Sequence, residues 1–317
     1  MAQNIELLAS FFERAKQHLN RCLAPGMGCK ATAIRAHSLQ NSQFLDLLAR
    51  DGHVKAITMK ASRETGPVLS FNDVGRNEAT TFTGLCSNHD ASIFRPIDTA
   101  RFRGSDPEHL FLVAYRAVVR ELHAAMDGAW KIQGGYEKRI QLGLDTGNEP
   151  EPAGMLAVEH MMRAYLTYVY KCSFDQALVS REHEAVSHHS FVVDHEEPTV
   201  GVCSLFSLDG LRRGDDWVRV ALNVLPLCRT ESIVVFSFLP GDAELVRSGL
   251  DRVLSSEGAY QKYLLSKLIL NNCDNFVVSP PYFDRWGFGK RAAIMNYFAD
   301  TLTDGNLEFE NPNLYLF

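Results

Sequence analysis

The chain contains 317 residues, of which 46% are hydrophobic and 22% charged, with a formal net charge of -6 at pH 7. This length and composition can fill a sizeable core in one large domain or in two ordinary ones. The negative total argues against a protein that coats nucleic acid with its whole surface, and the absence of an uncharged apolar run of about 18 residues argues against a membrane-spanning helix.

The first 21 residues predict an amphipathic helix, because Ile5, Leu8 and Leu19 recur at helical spacing. This start lacks the basic segment and long apolar run of an export signal, so we expect a cytoplasmic protein with no membrane partner. Residues 22–98 are rich in Gly, Asn and Thr and predict a loop-rich segment with short strands. Segments of this kind seldom fold without a staple.

The middle of the chain predicts helices. Apolar residues in PEHLFLVAYRAVVRELHAAM recur at helical spacing, and Pro107 suits a first helical turn. The stretch 145–154 contains Pro, Gly and acids, and it predicts a linker or a long loop. A second helical pattern follows in MLAVEHMMRAYLTYVYKCS.

The C-terminal part changes to a β pattern rich in Val, Phe and Ile. We expect an antiparallel sheet whose strands are the runs 190–193, 199–208, 217–227 and 232–239. In the third run, alternation would turn Val218, Val220 and Leu222 to one face. Helices are predicted between residues 242 and 271, where they should cover one face of the sheet, and again near residues 290–302.

Together these patterns predict an α+β protein in three consecutive segments. They are a small metal-stapled N-terminal module, 1–105, a helical segment, 106–180, and an α+β domain of unknown role, 181–317. The last segment has no recognisable catalytic set, so we expect it to contact a protein partner. Its histidine-rich start does not match a zinc-binding helix, because His183 and His188 are five residues apart, and we interpret it as a polar strand edge.

Seven cysteines are too few and too scattered for a disulfide scaffold. Four stand singly: Cys172, Cys203, Cys228 and Cys273. Those in apolar surroundings, such as TVGVCSLF and VLPLCR, are interpreted as small buried side chains. The other three lie in two turns, CLAPGMGC and CSNH, and the second turn adds a histidine. Thiolates and imidazole are the usual ligands of tetrahedral structural zinc, so we predict one zinc ion held by Cys22, Cys29, Cys86 and His89. The alternative is a chance grouping of these residue types.

Between the two turns, residues 31–34 predict a short strand with His37 at its exit. The segments AIRAHSLQ and GRNEATTFTGLCSNHD, in this order, resemble the ββα-metal core of HNH-type endonucleases on a treble-clef zinc scaffold. They also resemble uncharacterised bacterial proteins in which a Cys pair, an AHS(I/L)Q segment, a GHV segment and an FTGxCxxHD segment follow one another. The resemblance covers residues 20–98.

The resemblance implies that His37 is a general base, that Asn77 orients it, and that Asp90 binds a divalent cation, Mg or Mn. A histidine with an ordinary pKa of about 6.5 can take a proton from water at neutral pH, and the cation would stabilise charge on a phosphate. Because base and cation must act on one phosphate, we expect His37 and Asp90 to lie within about 8 Å of each other.

Local charge agrees with a nucleic-acid substrate. Residues 1–63 contain nine Lys or Arg against four acids, a balance that suits contact with DNA or RNA phosphates. The function implied is metal-dependent cleavage of nucleic acid by an HNH-like site. The alternative is a non-catalytic, zinc-stabilised interaction protein that shares only the scaffold.

Overall fold

The computed structural model describes residues 19–62, 66–148, 151–214, 216–304 and 310–317. Most of the helix predicted over residues 1–21 therefore lies outside the described residues. The chain forms two compact units, and each is assembled from separated segments. Unit 1 comprises Met1–Ala36, Phe82–Ile93 and Val118–Glu182, and unit 2 comprises His37–Thr81, Phe94–Ala117 and His183–Phe317. The units thus interleave along the chain, whereas the sequence patterns divide it into three consecutive segments.

The protein is α+β, as predicted. Its strands are β1 Ile34–His37, β2 His53–Ser62, β3 Gly66–Gly75, β4 Thr81–Leu85, β5 Ser187–Asp194, β6 Val200–Arg213, β7 Asp216–Pro226, β8 Glu231–Phe238 and β9 Phe276–Val278. Its longer helices are α1 Ser87–Thr99, α2 Pro107–Gln141, α3 Pro152–Ser180, α4 Ala243–Leu254, α5 Gly258–Asn272, α6 Pro280–Asp284 and α7 Phe288–Asp304. Every helix in the described part of the chain is too short or too polar to cross a membrane.

Unit 2 contains a sheet in which the described strands follow the order β3-β2-β9-β6-β7-β8-β5. Neighbouring strands are antiparallel, which confirms the antiparallel sheet predicted for the C-terminal part. The β2–β3 hairpin joins the same sheet through the pairing of Lys55 with Val278. The sequence patterns did not predict that the hairpin belongs to this sheet. Ile57, Leu69 and Phe71 pack against a core whose other residues come after residue 190, so the contacts are distant in the sequence.

The two faces of this sheet are covered by different helices. Val218, Val220 and Leu222 are buried in one hydrophobic core with residues of α4 and α5, as the alternation predicted. The neighbouring Asn223 points the other way, and its side-chain amide donates to Val113 O in α2 at 3.4 Å. The beginning of α2 therefore covers the second face.

In unit 1, helices α2 and α3 pack against each other. Small side chains allow close approach, since Ala125 and Ala129 of α2 contact Ala164 of α3. An ion pair between Glu121 and Arg163, 2.9 Å long, flanks this contact. The connection between these helices lies three residues earlier than the loop predicted over 145–154, because α2 ends at Gln141 and α3 begins at Pro152, and proline is well suited to a first helical turn.

The first strand lies later than predicted. Residues 31–34 were expected to be extended, but β1 spans Ile34–His37, so His37 is its last residue. The preceding residues are occupied elsewhere, because Thr32 bridges to Arg21 and the Ala33 N–H donates to Asn20 O at 2.9 Å. β1 pairs with β4 in a separate two-stranded sheet.

Candidate metal centre

Cys22 and Cys29 lie on either side of the 3₁₀ turn Pro25–Met27. Gly26 has a φ of 73° and Met27 a φ of 51°, so the chain passes through the left-handed region at two successive residues. A Cβ at Gly26 would contact nothing within 4 Å, and glycine is therefore favoured there by its conformation rather than by space. This reversal brings the two cysteines back together across a gap of six residues.

Backbone hydrogen bonds tie this first turn to the end of β4. The Leu23 N–H donates to Gly84 O at 2.7 Å. Gly84 has a tightly packed position, since a Cβ there would lie 2.4 Å from the Phe82 ring. The contact between Leu23 and Gly84 therefore holds Cys22 next to the point where the second turn begins.

The second turn joins β4 to α1. Cys86 follows the last residue of β4, and α1 begins one residue later, so His89 lies in the first helical turn. The Asp90 N–H donates to Cys86 O at 2.9 Å, which continues the helical pattern back to the cysteine. Residues three apart at the start of a helix lie on the same side. The Cys86 sulfur and the His89 ring therefore both face the turn that contains Cys22 and Cys29.

The four predicted ligands converge. Within the Cys3His cluster, formed by Cys22, Cys29, Cys86 and His89, one donor atom from each residue lies within 4.8 Å of every other. The His89 Nδ1 is 3.4 Å from Cys22 Sγ and 3.2 Å from Cys86 Sγ, and Cys29 Sγ is 4.0 Å from Cys86 Sγ. Tetrahedral bonds of about 2.3 Å to sulfur and about 2.0 Å to nitrogen separate donors by roughly 3.5 to 4 Å. The cluster could therefore hold a metal ion such as zinc.

The surroundings of the thiols favour ionisation of one of them. A hydrogen bond from the His89 backbone lowers the pKa of Cys86 to about 7. Burial raises the pKa of Cys22, although the Cys86 N–H donates to its sulfur at 3.3 Å. A cysteine binds a metal ion as a thiolate, so ion binding at this cluster would release protons. Of Cys22 and Cys86, Cys86 is the thiol that ionises more readily.

A buried lysine of α3, Lys171, interacts electrostatically with Cys22 of the cluster. Lys171 has no exposed surface and forms an ion pair with Asp175, one helical turn later. Burial lowers the pKa of Lys171, while the charges of Asp175 and Cys22 oppose that shift. Three thiolates and an imidazole around a divalent ion leave one net negative charge, which an ammonium group would offset. The sequence shows two opposite charges four residues apart in this helical segment, a spacing that is also common on solvated helix faces.

His37 is held by the main chain of the turn before β4. It is half-buried, and its Nε2 lies 2.9 Å from Arg76 O. Because a carbonyl only accepts, Nε2 carries the hydrogen, and in the neutral ring the lone pair is then on Nδ1. The side chain of the exposed Asn77 accepts a hydrogen bond from Asn41 at 2.8 Å. His37 thus donates its hydrogen bond to the carbonyl oxygen of Arg76, one residue before Asn77.

Asp90 directly follows His89 in the first turn of α1, where a carboxylate is favoured by the helix dipole. It belongs to unit 1, whereas His37 and Asn77 belong to unit 2. The expected proximity of His37 and Asp90 stays a prediction, as do the catalytic roles of the three residues.

The histidine-rich stretch after α3 does not form a comparable site. His188 and His195 each contact the hydroxyl of a β8 serine, Ser237 and Ser232, at 2.8 Å. β5, which contains His188, is an edge strand of the described sheet. Among the residues that the structure describes, the Cys3His cluster is the one group of three or more Cys, His, Asp or Glu side chains arranged to hold a metal ion.

Comparisons of the chain with protein-family models, with curated proteins and with solved structures find no significant match.

Proposed function

We propose that the Cys3His cluster binds one zinc ion on a treble-clef scaffold, and that this ion has a structural role. Four protein donors would complete a tetrahedral shell, whereas catalytic zinc keeps one position for water or substrate. Cys29 and Cys86 are 57 residues apart in the chain, so the ion would join two turns that are distant in the sequence. Zinc binding in small peptides contributes on the order of 10 to 16 kcal/mol, enough to order a loop-rich segment.

We further propose that the zinc-stapled module is a metal-dependent endonuclease of HNH type, which hydrolyses phosphodiester bonds in DNA or RNA. The observation that carries this proposal is the position of His37 at the end of β1, with Nε2 bonded to Arg76 O. A general base needs a fixed ring and a defined tautomer, and this hydrogen bond supplies both. Nδ1 would then take the proton from the attacking water.

In this proposal Asp90 holds Mg²⁺ or Mn²⁺. A carboxylate oxygen is the kind of hard ligand that these cations prefer, and the position after His89 keeps Asp90 at the ordered start of α1. When bound, the cation supplies charge stabilisation for the phosphate and for the departing oxygen. The basic residues of the 1–63 segment would contact the substrate backbone.

A second candidate is a non-catalytic zinc-stabilised protein that binds a partner. Two observations favour it. The described residues contain no second group of three metal-binding side chains that could include Asp90. Ala36 also occupies the position before His37, where HNH enzymes often have an acidic metal ligand.

A plasmid-nicking assay with Mg²⁺ or Mn²⁺ separates the two candidates. If the protein is a nuclease, His37→Ala should reduce cleavage at least about 10²-fold, the usual contribution of a general base, without loss of zinc or folding. Asp90→Asn should raise the cation concentration required. His189→Ala changes an exposed histidine on β5 and should retain full activity. Cleavage that survives His37→Ala would contradict the assigned role, and no cleavage at all would favour the interaction protein.

A further inference from the structure

One face of α3 is mostly apolar and exposed along nearly the whole helix. The apolar side chains measured there, from Met155 to Val179, expose between 43% and 71% of their surface. We name this face the α3 stripe, and it consists of Met155, Val158, Met162, Tyr165, Val169, Cys172, Gln176 and Val179. Cys172, one of the four single cysteines, is exposed.

The α3 stripe has the spacing of a coiled-coil seam. Successive members are alternately three and four residues apart over eight positions, which is the heptad pattern of a and d residues. The buried side of α3 contains Ala157 and Ala164, and Ala164 packs on α2. Each of these alanines lies between two members of the stripe, about 160° from the preceding member and 100° from the following one. The midline of the stripe is therefore about 130° from the alanines, and the stripe faces away from α2. A helix with apolar residues on opposite sides requires a partner on each.

The exposed area is that of an interface. Together with the flanking Met161, the apolar members of the stripe expose on the order of 700 Å². This is about the area that each partner contributes to a standard protein–protein interface, and it exceeds the apolar patches usual on monomers.

We propose that a second copy of this chain covers the α3 stripe, and that the two α3 helices pack antiparallel. The large members, Met155, Met162 and Tyr165, lie in the first half of the stripe, whereas the second half has smaller or polar ones. A parallel pair would place Tyr165 against itself and Gln176 against itself. An antiparallel pair with its twofold axis between Tyr165 and Val169 matches a large with a smaller side chain in three layers: Met155 with Val179, Met162 with Cys172, and Tyr165 with Val169. The remaining layer sets Val158 against Gln176, so that Gln176 does not face itself.

The segment before residue 19 is the other possible occupant. Its attachment point is on α2, since the Leu19 N–H donates to Asp127 at 2.9 Å and Leu19 O lies 3.0 Å from His123 Nε2. The α3 stripe faces away from α2, so Leu19 lies on the other side of α3 from the stripe. A second copy has no such constraint, and it brings a stripe of matching length and spacing.

The particle size of the full chain tests the dimer directly. At tens of micromolar, light scattering or sedimentation should give two chains per particle for the wild type and for a variant lacking residues 1–18. Replacing Met162 and Tyr165 together by Glu should give one chain per particle with unchanged zinc content. The control Leu302→Glu, at a 63% exposed position on α7, should remain dimeric. A monomeric wild type, or a dimer that survives the double substitution, would overturn the proposal.

Cross-linking tests the pairing without depending on a charged substitution. In the antiparallel arrangement Met162→Cys faces Cys172 of the second copy, so mild oxidation should link most of the protein into covalent dimers. Adding Cys172→Ser to the same variant should abolish that link. Wild-type protein that instead cross-links through Cys172 alone would show a parallel pair and would overturn the antiparallel arrangement.

Discussion

In unit 2, strands β7 and β8 bury nearly every side chain from Val220 onward, and the helices above them add more apolar residues to the same core. Around the Cys3His cluster in unit 1, the elements are short turns and a four-residue strand, and their buried groups include two thiols. The first region distributes its stability over many contacts, each worth a few kcal/mol. The second concentrates it in four donor atoms. Single substitutions should therefore have very different effects in the two regions.

The largest effect is expected from Cys86→Ala. It removes one of four donors, so zinc should be lost together with the 10 to 16 kcal/mol that such sites provide, and the turns should unfold locally. Hydrogen exchange of the Leu23 amide, which donates to Gly84 O, should lose its protection, while amides of β7 keep theirs. The matched control is Cys203→Ala, at a buried cysteine of unit 2, which should keep a full equivalent of zinc. If Cys86→Ala retained its zinc, the claim that stability around the cluster is concentrated in four donor atoms would be wrong.

Lys171→Met should have the next largest effect, because it removes the cation that pairs with the buried carboxylate of Asp175. The expected cost is about 3 to 5 kcal/mol in the free energy of unfolding. Adding Asp175→Leu should recover most of this stability. If Lys171 also balances the charge of the zinc site, the double variant should still bind zinc about 10 to 100 times more weakly, as measured by chelator competition. Full recovery of both quantities would limit Lys171 to its ion pair.

In the apolar core the expected loss is comparable or smaller, and independent of metal. Leu265→Ala, at a fully buried position on α5, should lower the free energy of unfolding by about 2 to 5 kcal/mol. Val192→Ala, on the exposed side of β5, should change it by less than about 0.5 kcal/mol. Urea unfolding of zinc-loaded protein measures both, and the zinc content of Leu265→Ala should stay at the wild-type level. Loss of zinc in this variant would mean that the core and the metal site are one cooperative structure.

The smallest effect is the loss of folding stability at low pH that we expect from His188. Burial lowers the pKa of His188 to about 4, from its ordinary value of 6.5. Between these values the unfolded chain binds more protons than the folded one, so stability is full above pH 6.5 and falls as the pH drops toward 4. The difference should reach about 2 kcal/mol at pH 5.

His188→Gln should remove this part of the pH dependence. Comparing the two proteins at pH 7 and pH 5 cancels the effect of acid on the Cys3His cluster, which both contain. Equal losses of stability in the two proteins on going to pH 5 would show that His188 does not contribute.

Local patterns were enough to predict four strands of the C-terminal part, β5 to β8, but not the three-residue β9. Alternation and β-branched residues mark β7 and β8 directly, and turn residues separate them. The place of the β2–β3 hairpin was not predictable in this way. Its position depends on Lys55 pairing with Val278, more than 200 residues later, and no window of sequence contains that contact. β1 lies later than predicted for a similar reason, because Thr32 and Ala33 bond to residues near Cys22.

The metal site was easier to predict than its surroundings. Cysteine and histidine are few, and two turns of the right kind restrict the choice of ligands. Lys171 was missed because a single lysine in a helix usually belongs to a solvated face. Only the fold shows that Lys171 is buried and that its charge interacts with that of Cys22.

The central claim is that Cys22, Cys29, Cys86 and His89 bind one zinc ion, and X-ray absorption at the zinc edge tests it most directly. Protein purified without added metal should contain one zinc per chain, with three sulfur neighbours at about 2.3 Å and one nitrogen neighbour at about 2.0 Å. His89→Cys should change this shell to four sulfurs, and His37→Ala should leave it unaltered. A protein free of zinc, or a shell whose nitrogen neighbour is lost in His37→Ala, would contradict the account.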